Sequence, residues 1–367
     1  MKAYRLLEWQ QPPRLVDVEV PEPGPGQVLL RVGGAGACHS DIHVMDWPAG
    51  TLPYDVPFTL GHENAGWVEA VGQGVDRYAP GDPVAVYGPW GCGACRNCIQ
   101  GMDTFCELWR QPGRARGGGL GRDGGMAEYM LVPEQRLLVP LRDLEPKAAA
   151  PLTDAGLTPY HAIKSSMHVL APGAGVAVIG VGGLGHLAVQ ILAATTASRI
   201  IAVDIAPDRL DLARHCGAHA GVVSGPEAAV EVIEANGGRK PELVLDFVGI
   251  DATLALAAKL TRTRGRFVVV GLTDAEIPFG FGRVAQECEL VISMWGTLPE
   301  LHEVIRLGER GDLRPETVIY PLERAADAYE ALRKGELLGR AVVVPPPPPV
   351  HFHASNSDNL PTGRLMW

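Results

Sequence analysis

Long apolar runs are missing from this 367-residue chain. No stretch approaches the roughly 18 consecutive apolar residues that a membrane helix needs. The first residues, MKAYRLLEWQQPPRL, lack the unbroken apolar stretch of a signal peptide. The expectation is a soluble cytoplasmic protein without a membrane partner. Positive charge is not in excess either: 32 Lys and Arg face 42 Asp and Glu, a net charge of −10, and the two signs are interspersed. That balance argues against a nucleic-acid surface. Cysteine is scarce and odd in number, seven in all. In a large chain with no export signal this argues against a disulfide framework and for metal or catalytic use. No internal repeat is visible. What the chain does have is length and 46% hydrophobic residues, too much for one ordinary core, so two domains are expected.

Two textures divide the chain. Residues 1 to about 152 are rich in Gly and Pro, with short apolar runs such as QVLLRV, GWVEAV and PVAVY that read as strands joined by turns. From about 173, strands alternate with helices. GVAVIG, RIIAVD, ELVLDFVG, RFVVVGL and ELVISMWG read as strands; GLGHLAVQILAATT, PDRLDLARHCGA and DATLALAAKLTR read as helices. Such alternation predicts an α/β unit with a doubly wound parallel sheet covered on both faces. Beyond about 296 the helical LPELHEVIRLGERG and LERAADAYEALRKG lead to a last strand, RAVVV, and this part is expected to return to the first domain. The domains are therefore read as 1–152 with 296–344, and 153–295. Residues 345–367, opening with five prolines, are expected to be a mostly disordered extension.

Two motifs carry chemistry by themselves. GVGGLG sets Gly180, Gly182 and Gly185 in G-x-G-x-x-G spacing, after one strand and before one helix, with Asp204 ending the next strand 19 residues past Gly185. This is the context of a dinucleotide site: the first glycine allows the tight turn, the second lets backbone approach the pyrophosphate, and the third lets helix pack on strand. The helix N-terminus offers free N–H groups to phosphate. Asp204 at the ribose favours NAD(H) over NADP(H), while Arg209 is a residue type that can hold a 2′-phosphate. The second motif is Cys92, Cys95, Cys98 and Cys106, spaced C-x2-C-x2-C-x7-C. Four thiolates with no open position describe a structural zinc site, and an iron–sulfur cluster is the rival reading.

Other residues gain meaning only by resemblance. GHENAGWVEAVGQGV is similar to the zinc signature of medium-chain alcohol dehydrogenases, and ACHSD, the four-cysteine lobe and GVGGLG follow in that family's order. PLTDAGLTPYHA resembles the bacterial NAD-dependent secondary-alcohol dehydrogenases of that superfamily. The resemblance covers about residues 1–344. It implies a GroES-like, mainly-β catalytic domain beside a Rossmann domain, NAD(H), and two zinc ions, so that the cysteine lobe holds zinc. It implies Cys38, His62 and Asp154 as catalytic zinc ligands, Glu63 just behind the metal, Ser40 at the substrate oxygen and His43 as the proton relay. It implies cofactor contacts from Gly183 and Leu184 of the turn, Phe247, Val248, Val270, Gly271, Leu272 and Trp295, and from Arg340 at the pyrophosphate. His39 stands where relatives often carry an arginine over the same phosphates. Trp47, Tyr54 and Trp295 are the expected lining of an apolar pocket. Cys216 and Cys288 are expected as buried filler. Dimers and tetramers are common in that family, so a homodimer or homotetramer is expected.

Together these imply hydride transfer between an alcohol, expected to be secondary, and NAD. A polyol, aldehyde or threonine dehydrogenase is the alternative within the superfamily. A zinc-stabilised nucleotide-binding protein without catalysis is the alternative outside it, but such a protein has no need of Cys38, His62 and Asp154 together.

Overall fold

The computed structural model describes residues 1–109 and 116–347. Its Gly/Pro-rich part is built on a seven-stranded sheet. Val28–Ala37 lies at the centre of that sheet, antiparallel to Glu63–Val71 on one side and to Arg340–Val344 on the other. Thr317–Pro321 then pairs parallel to Arg340–Val344 at one edge, and Pro83–Val86 and Leu138–Pro140 complete the other. The C-terminal strands therefore join the sheet of the first part. Val28–Ala37 is glycine-rich at its C-terminal end for a packing reason. Register pairs Gly36 with Glu63, and a Cβ on Gly36 would lie 1.8 Å from Glu63 Oε2. The missing side chain makes room for a buried carboxylate.

The second sheet has six strands, all parallel. Their spatial order is Ala220–Val223, Arg199–Asp204, Gly175–Ile179, Leu243–Asp246, Arg266–Val269, Glu289–Ile292. Every residue of Gly175–Ile179 is buried, as a central strand covered on both faces requires. The strand order reverses between Gly175–Ile179 and Leu243–Asp246, and that switch point is where doubly wound sheets open a ligand crevice at the carboxyl ends of their strands. The helix Gly185–Thr195 leaves this crevice. Its apolar side chains are buried almost all round, because it lies between the sheet and the helix Leu157–Lys164.

The strands and helices read from the sequence are present. The structure adds Ala220–Val223, Ala228–Ala235, Leu157–Lys164 and Thr317–Pro321. Thr317–Pro321 is a half-exposed edge strand with little alternation, and such a strand gives a weak periodic signal. Cys216 and Cys288 are both partly exposed, so neither is the buried filler that was expected. Most of the expected C-terminal extension, residues 348–367, lies outside the described residues. No helix among the described residues is long and apolar enough to cross a membrane.

Candidate active site and metal centres

Three segments converge at one end of the central strands of the first sheet. Cys38 follows the central strand Val28–Ala37 and is the N-cap of the helix His39–Asp46. Glu63 begins the neighbouring strand, with His62 just before it, and Asp154 closes a 3-10 turn over Ala150–Thr153. One donor atom from each of Cys38, His62, Glu63 and Asp154 lies within 4.8 Å of the other three, and all four residues are buried. Asp154 Oδ2 is 3.5 Å from His62 Nε2 and 3.8 Å from Cys38 Sγ. Bonds of about 2.0–2.3 Å to a tetrahedral zinc put its ligands roughly 3.3–3.8 Å apart. The sulfur, nitrogen and oxygen therefore stand at the spacing, and have the chemistry, that zinc takes.

The surroundings aim these donors. Asp41 is fully buried, and its carboxylate accepts hydrogen bonds from His62 Nδ1 at 2.7 Å, the Cys38 N–H at 3.1 Å and the Tyr329 hydroxyl at 2.9 Å. The first bond fixes the proton on Nδ1 and turns Nε2 toward Asp154, the carboxylate–histidine arrangement that supports metal ligation. Burial pulls the His62 ring down, but Asp41 and Asp154 outweigh it and hold the ring well above its ordinary pKa. Surroundings that favour positive charge at Nε2 suit a cation there. Thr158 donates to Asp154 Oδ1 at 2.6 Å. Burial raises the Asp154 carboxyl, yet His62, Arg340 and Thr158 bring it down to about 2, so it is an anionic donor at neutral pH. Behind the group, Arg340 makes a two-pronged pair with Glu63, with Nε 3.0 Å from Oε2. Asp41, Thr158 and Tyr329 were missed in the sequence. Asp41 did carry a signal, standing three residues after a helix-capping position.

The start of the helix His39–Asp46 places Ser40 and His43 beside the donors. The cap is Cys38, with Asp41 bonding back to its N–H, and Ser40 lies inside the first turn with Oγ 3.7 Å from Cys38 Sγ. His43, on the same helix, is half-buried; its ring meets Trp47 at 5.7 Å, and its Nδ1 has no hydrogen-bond partner among the described residues. His39 is exposed beside Cys38. Trp295 presents its ring edge-on to His62 at 5.5 Å, donates from Nε1 to the Thr153 carbonyl at 3.2 Å, and is 6% exposed. Gly88 makes space for it, since a Cβ there would lie 2.2 Å from the indole. Tyr54 is buried with its ring edge against Phe58.

Cys92, Cys95, Cys98 and Cys106 form a second cluster, their sulfurs within 4.8 Å of one another and none in a disulfide. Backbone N–H groups of Cys95 and Cys92 point at the sulfurs of Cys92 and Cys106, at 3.2 and 3.4 Å. Four sulfurs at this spacing fit a closed zinc site. Buried Asp103, which sequence reading passed over, braces the lobe by accepting from the Gly91 N–H and from Arg136, both at 2.9 Å.

The glycine turn sits at the switch point. Gly180 has φ +85°, and its missing side chain admits Val248, 2.5 Å from where a Cβ would stand. A Cβ on Gly185 would lie 1.9 Å from the Gly180 carbonyl oxygen, so helix and turn touch there. At Gly182 nothing lies within 4 Å of the Cβ position. The one open glycine is thus the one at which a pyrophosphate must approach backbone, and the turn fits a dinucleotide. Asp204 holds the turn through the Val181 N–H at 2.7 Å, and Arg209 stands 3.9 Å from its other oxygen. Gly183 faces the Arg340 guanidinium, with Nη1 2.7 Å from its Cβ position. Arg340 therefore touches both the turn and Glu63. Phe247 and Val248 follow the strand Leu243–Asp246, and Val270, Gly271 and Leu272 follow Arg266–Val269, all at the carboxyl edge of the second sheet.

Residues 24–143 match the alcohol dehydrogenase GroES-like domain, and residues 183–310 match the zinc-binding dehydrogenase family. An NAD-dependent alcohol dehydrogenase of Sulfurisphaera tokodaii is 35% identical over 356 residues, covering 94% of this chain and 100% of the relative. A D-arabinose 1-dehydrogenase (NADP(+)) of Saccharolobus solfataricus is 34% identical over 94% of this chain and 97% of its own. The crystal structure of an alcohol dehydrogenase from Aeropyrum pernix superposes with a TM-score of 0.86 at 38% identity, covering 94% of this chain and 100% of that one. With its GroES-like part, its parallel nucleotide-binding sheet and its two zinc-fitting clusters, the chain belongs to the zinc-binding alcohol dehydrogenases.

Proposed function

We propose that this alcohol dehydrogenase oxidises secondary alcohols to ketones with NAD and carries two zinc ions per chain, one at each cluster. The observation that carries the reading is the convergence of Cys38, His62 and Asp154 at tetrahedral spacing, in a chain whose glycine turn is open at Gly182. A zinc ion held there supplies Lewis acidity that favours the ionised form of an alcohol. A dinucleotide held by the turn at Gly180, Gly182 and Gly185 would supply the hydride acceptor.

The chain's own groups do the rest. Cys38, His62 and Asp154 hold the ion, with Asp41 and Thr158 fixing the ring and the carboxylate. Glu63, paired with Arg340, stands behind them. Ser40, on the first turn beside Cys38, takes the hydroxyl proton and hands it toward His43, whose Nδ1 has no hydrogen-bond partner among the described residues. Trp295 walls the site with an indole whose N–H is already bonded, so it offers only apolar surface and excludes water. Trp47 and Tyr54 extend that lining. Hydrocarbon on both sides of the carbinol carbon suits such walls better than polyol hydroxyls. At the other end, Asp204 would serve the adenosine ribose of a bound dinucleotide, and Gly183, Leu184, Phe247, Val248, Val270, Gly271, Leu272, His39 and Arg340 would line it. Arg209 beside Asp204 supports some tolerance of NADP. Residues 1–152 with 296–344 form the catalytic unit and 153–295 the nucleotide unit, in a cytoplasmic homodimer or homotetramer.

A second reading has one finding in its favour, the D-arabinose relative, which makes a sugar or polyol substrate the rival. One experiment tests both. Zinc is counted per chain, and reduction of NAD and NADP is followed with 2-butanol, 1-phenylethanol, ethanol, sorbitol and D-arabinose, with and without a chelator. Chelator-sensitive NAD reduction, fastest with 2-butanol or 1-phenylethanol, is expected. Preference for D-arabinose or sorbitol replaces the secondary-alcohol reading, and no reduction by any substrate overturns the enzyme assignment of this site. Asp154→Ala is expected to lose one zinc and the activity while the cysteine-bound zinc stays.

A further inference from the structure

The helix that leaves the glycine turn is apolar along its buried length, with one exception. His186 is fully buried among Leu187, Ala188, Val189, Ile191 and Leu192. Both of its ring nitrogens are in use. Nδ1 lies 2.8 Å from the carbonyl oxygen of Gly182, and Nε2 accepts the backbone N–H of Glu316 at 3.1 Å. These two bonds require one N–H and one bare nitrogen, the neutral Nδ1–H tautomer. Burial keeps the ring neutral, bringing its pKa down to about 4.

The two partners flank strands of different sheets. Gly182 is the open glycine of the turn, and Glu316 precedes the edge strand Thr317–Pro321 of the first sheet. The Glu316 carbonyl in turn accepts the Arg340 N–H at 2.8 Å. Arg340 grips Glu63 behind the metal donors, and its guanidinium abuts Gly183. The contacts close a ring: Gly182, His186, Glu316, Arg340, Gly183. The buried side of this helix is otherwise apolar, so packing alone does not call for an imidazole.

We propose that His186 is a positioning residue that locks the glycine turn, through Glu316, to the strand pair that carries Arg340, so that cofactor affinity depends on the Nε2 bond to Glu316. The inference rests on the reading of this turn as the NAD site. His186 touches no reacting atom, and its effect falls on the cofactor rather than on the alcohol.

Three substitutions separate its two bonds in the full-length, zinc-loaded chain. His186→Leu removes both. His186→Asn keeps an amide N–H where Nδ1 stood but falls short of Glu316. His186→Gln carries a carbonyl oxygen to where Nε2 stood. NADH affinity is measured by fluorescence titration, and KM for NAD and for the alcohol by steady-state kinetics. The dissociation constant is expected to rise roughly ten-fold in the Leu and Asn variants, the size of one buried hydrogen bond, and to return to within about two-fold of wild type in the Gln variant. KM for NAD follows it, while KM for the alcohol stays nearly constant. If His186→Leu does not fold, the Asn and Gln pair carries the comparison. Equal NADH affinity in wild type, Asn and Gln variants overturns the inference, as does equal weakening in both. A wild-type chain that binds no NADH overturns the functional reading itself, and the inference with it.

Discussion

Arg340 and Glu63 lie side by side with almost no exposure to solvent, the guanidinium spanning both carboxylate oxygens. They come from strands on opposite sides of Val28–Ala37, and Gly36 opens the space in which the carboxylate sits. A buried pair of this kind contributes little net stability by itself, but a lone buried charge is costly. Arg340 is also 3.8 Å from Asp154 Oδ2, so the pair balances charge beside the metal donors.

Arg340→Met leaves Glu63 without its partner. A loss of about 3–5 kcal/mol in unfolding free energy is expected. The double variant Glu63→Gln/Arg340→Met should recover much of that loss, because neither group is then a stranded charge. Urea unfolding of the four members of the cycle measures the coupling. Additive losses would show that the two side chains do not act as a pair.

Asp41 is the next target. Its carboxylate serves three donors, and the one that matters for metal is His62 Nδ1–H. Asp41→Ala frees the imidazole to rotate and to change tautomer. Zinc affinity at the Cys38–His62–Asp154 site is expected to fall by about 10- to 100-fold. Competition with a zinc chelator reads this directly, and the cysteine-bound zinc serves as the internal control. A single unchanged affinity for both ions would remove Asp41 from this role.

How much of this was legible beforehand differs from residue to residue. The parallel sheet was legible because fully buried strands such as Gly175–Ile179 are continuous apolar runs set between helices. The cysteine lobe and the glycine turn were legible because their chemistry depends on local spacing. Cys38, His62 and Asp154 are distant in sequence, and only resemblance to a family joined them before the structure brought their donor atoms together. Thr158, Tyr329 and His186 were not legible, and Asp41 was legible only as a capping residue and not as the partner of His62. Each acts through a contact whose partner is set by tertiary packing, as with Tyr329 and Asp41, 288 positions apart. A lone histidine in an apolar helix offers no periodic or spacing signal.

Acid should destabilise the chain through His186. Its imidazole protonates near 6.5 when unfolded but only near 4 when folded, because burial and the nearby Arg340 oppose the charge. The unfolded state therefore binds the extra proton first. The stability this gives is fully present above pH 6.5 and is lost as pH falls toward 4, about 3 kcal/mol over the interval. Thermal unfolding at a series of pH values should show a steeper acid decline for wild type than for His186→Gln. Parallel curves would mean that the ring is not buried in its neutral form.

Trp295 should set the size of the alcohol that the site admits. Its indole meets His62 edge-on, and its N–H is held by the Thr153 carbonyl next to Asp154, so the ring cannot swing away without breaking that bond. The indole packs directly against Gly88, where a Cβ would lie 2.2 Å from the ring. Trp295→Ala therefore opens space directly beside the metal donors. Relative kcat/KM for 1-phenylethanol over 2-butanol is expected to rise about ten-fold, since a small alcohol loses its wall while an aryl group gains a place to sit, and one such contact contributes roughly 1–3 kcal/mol. Truncating a buried tryptophan also costs about 3–5 kcal/mol of stability, so the assay is run well below the variant's unfolding temperature. An unchanged ratio with both zinc ions retained would place the substrate on another side of the site.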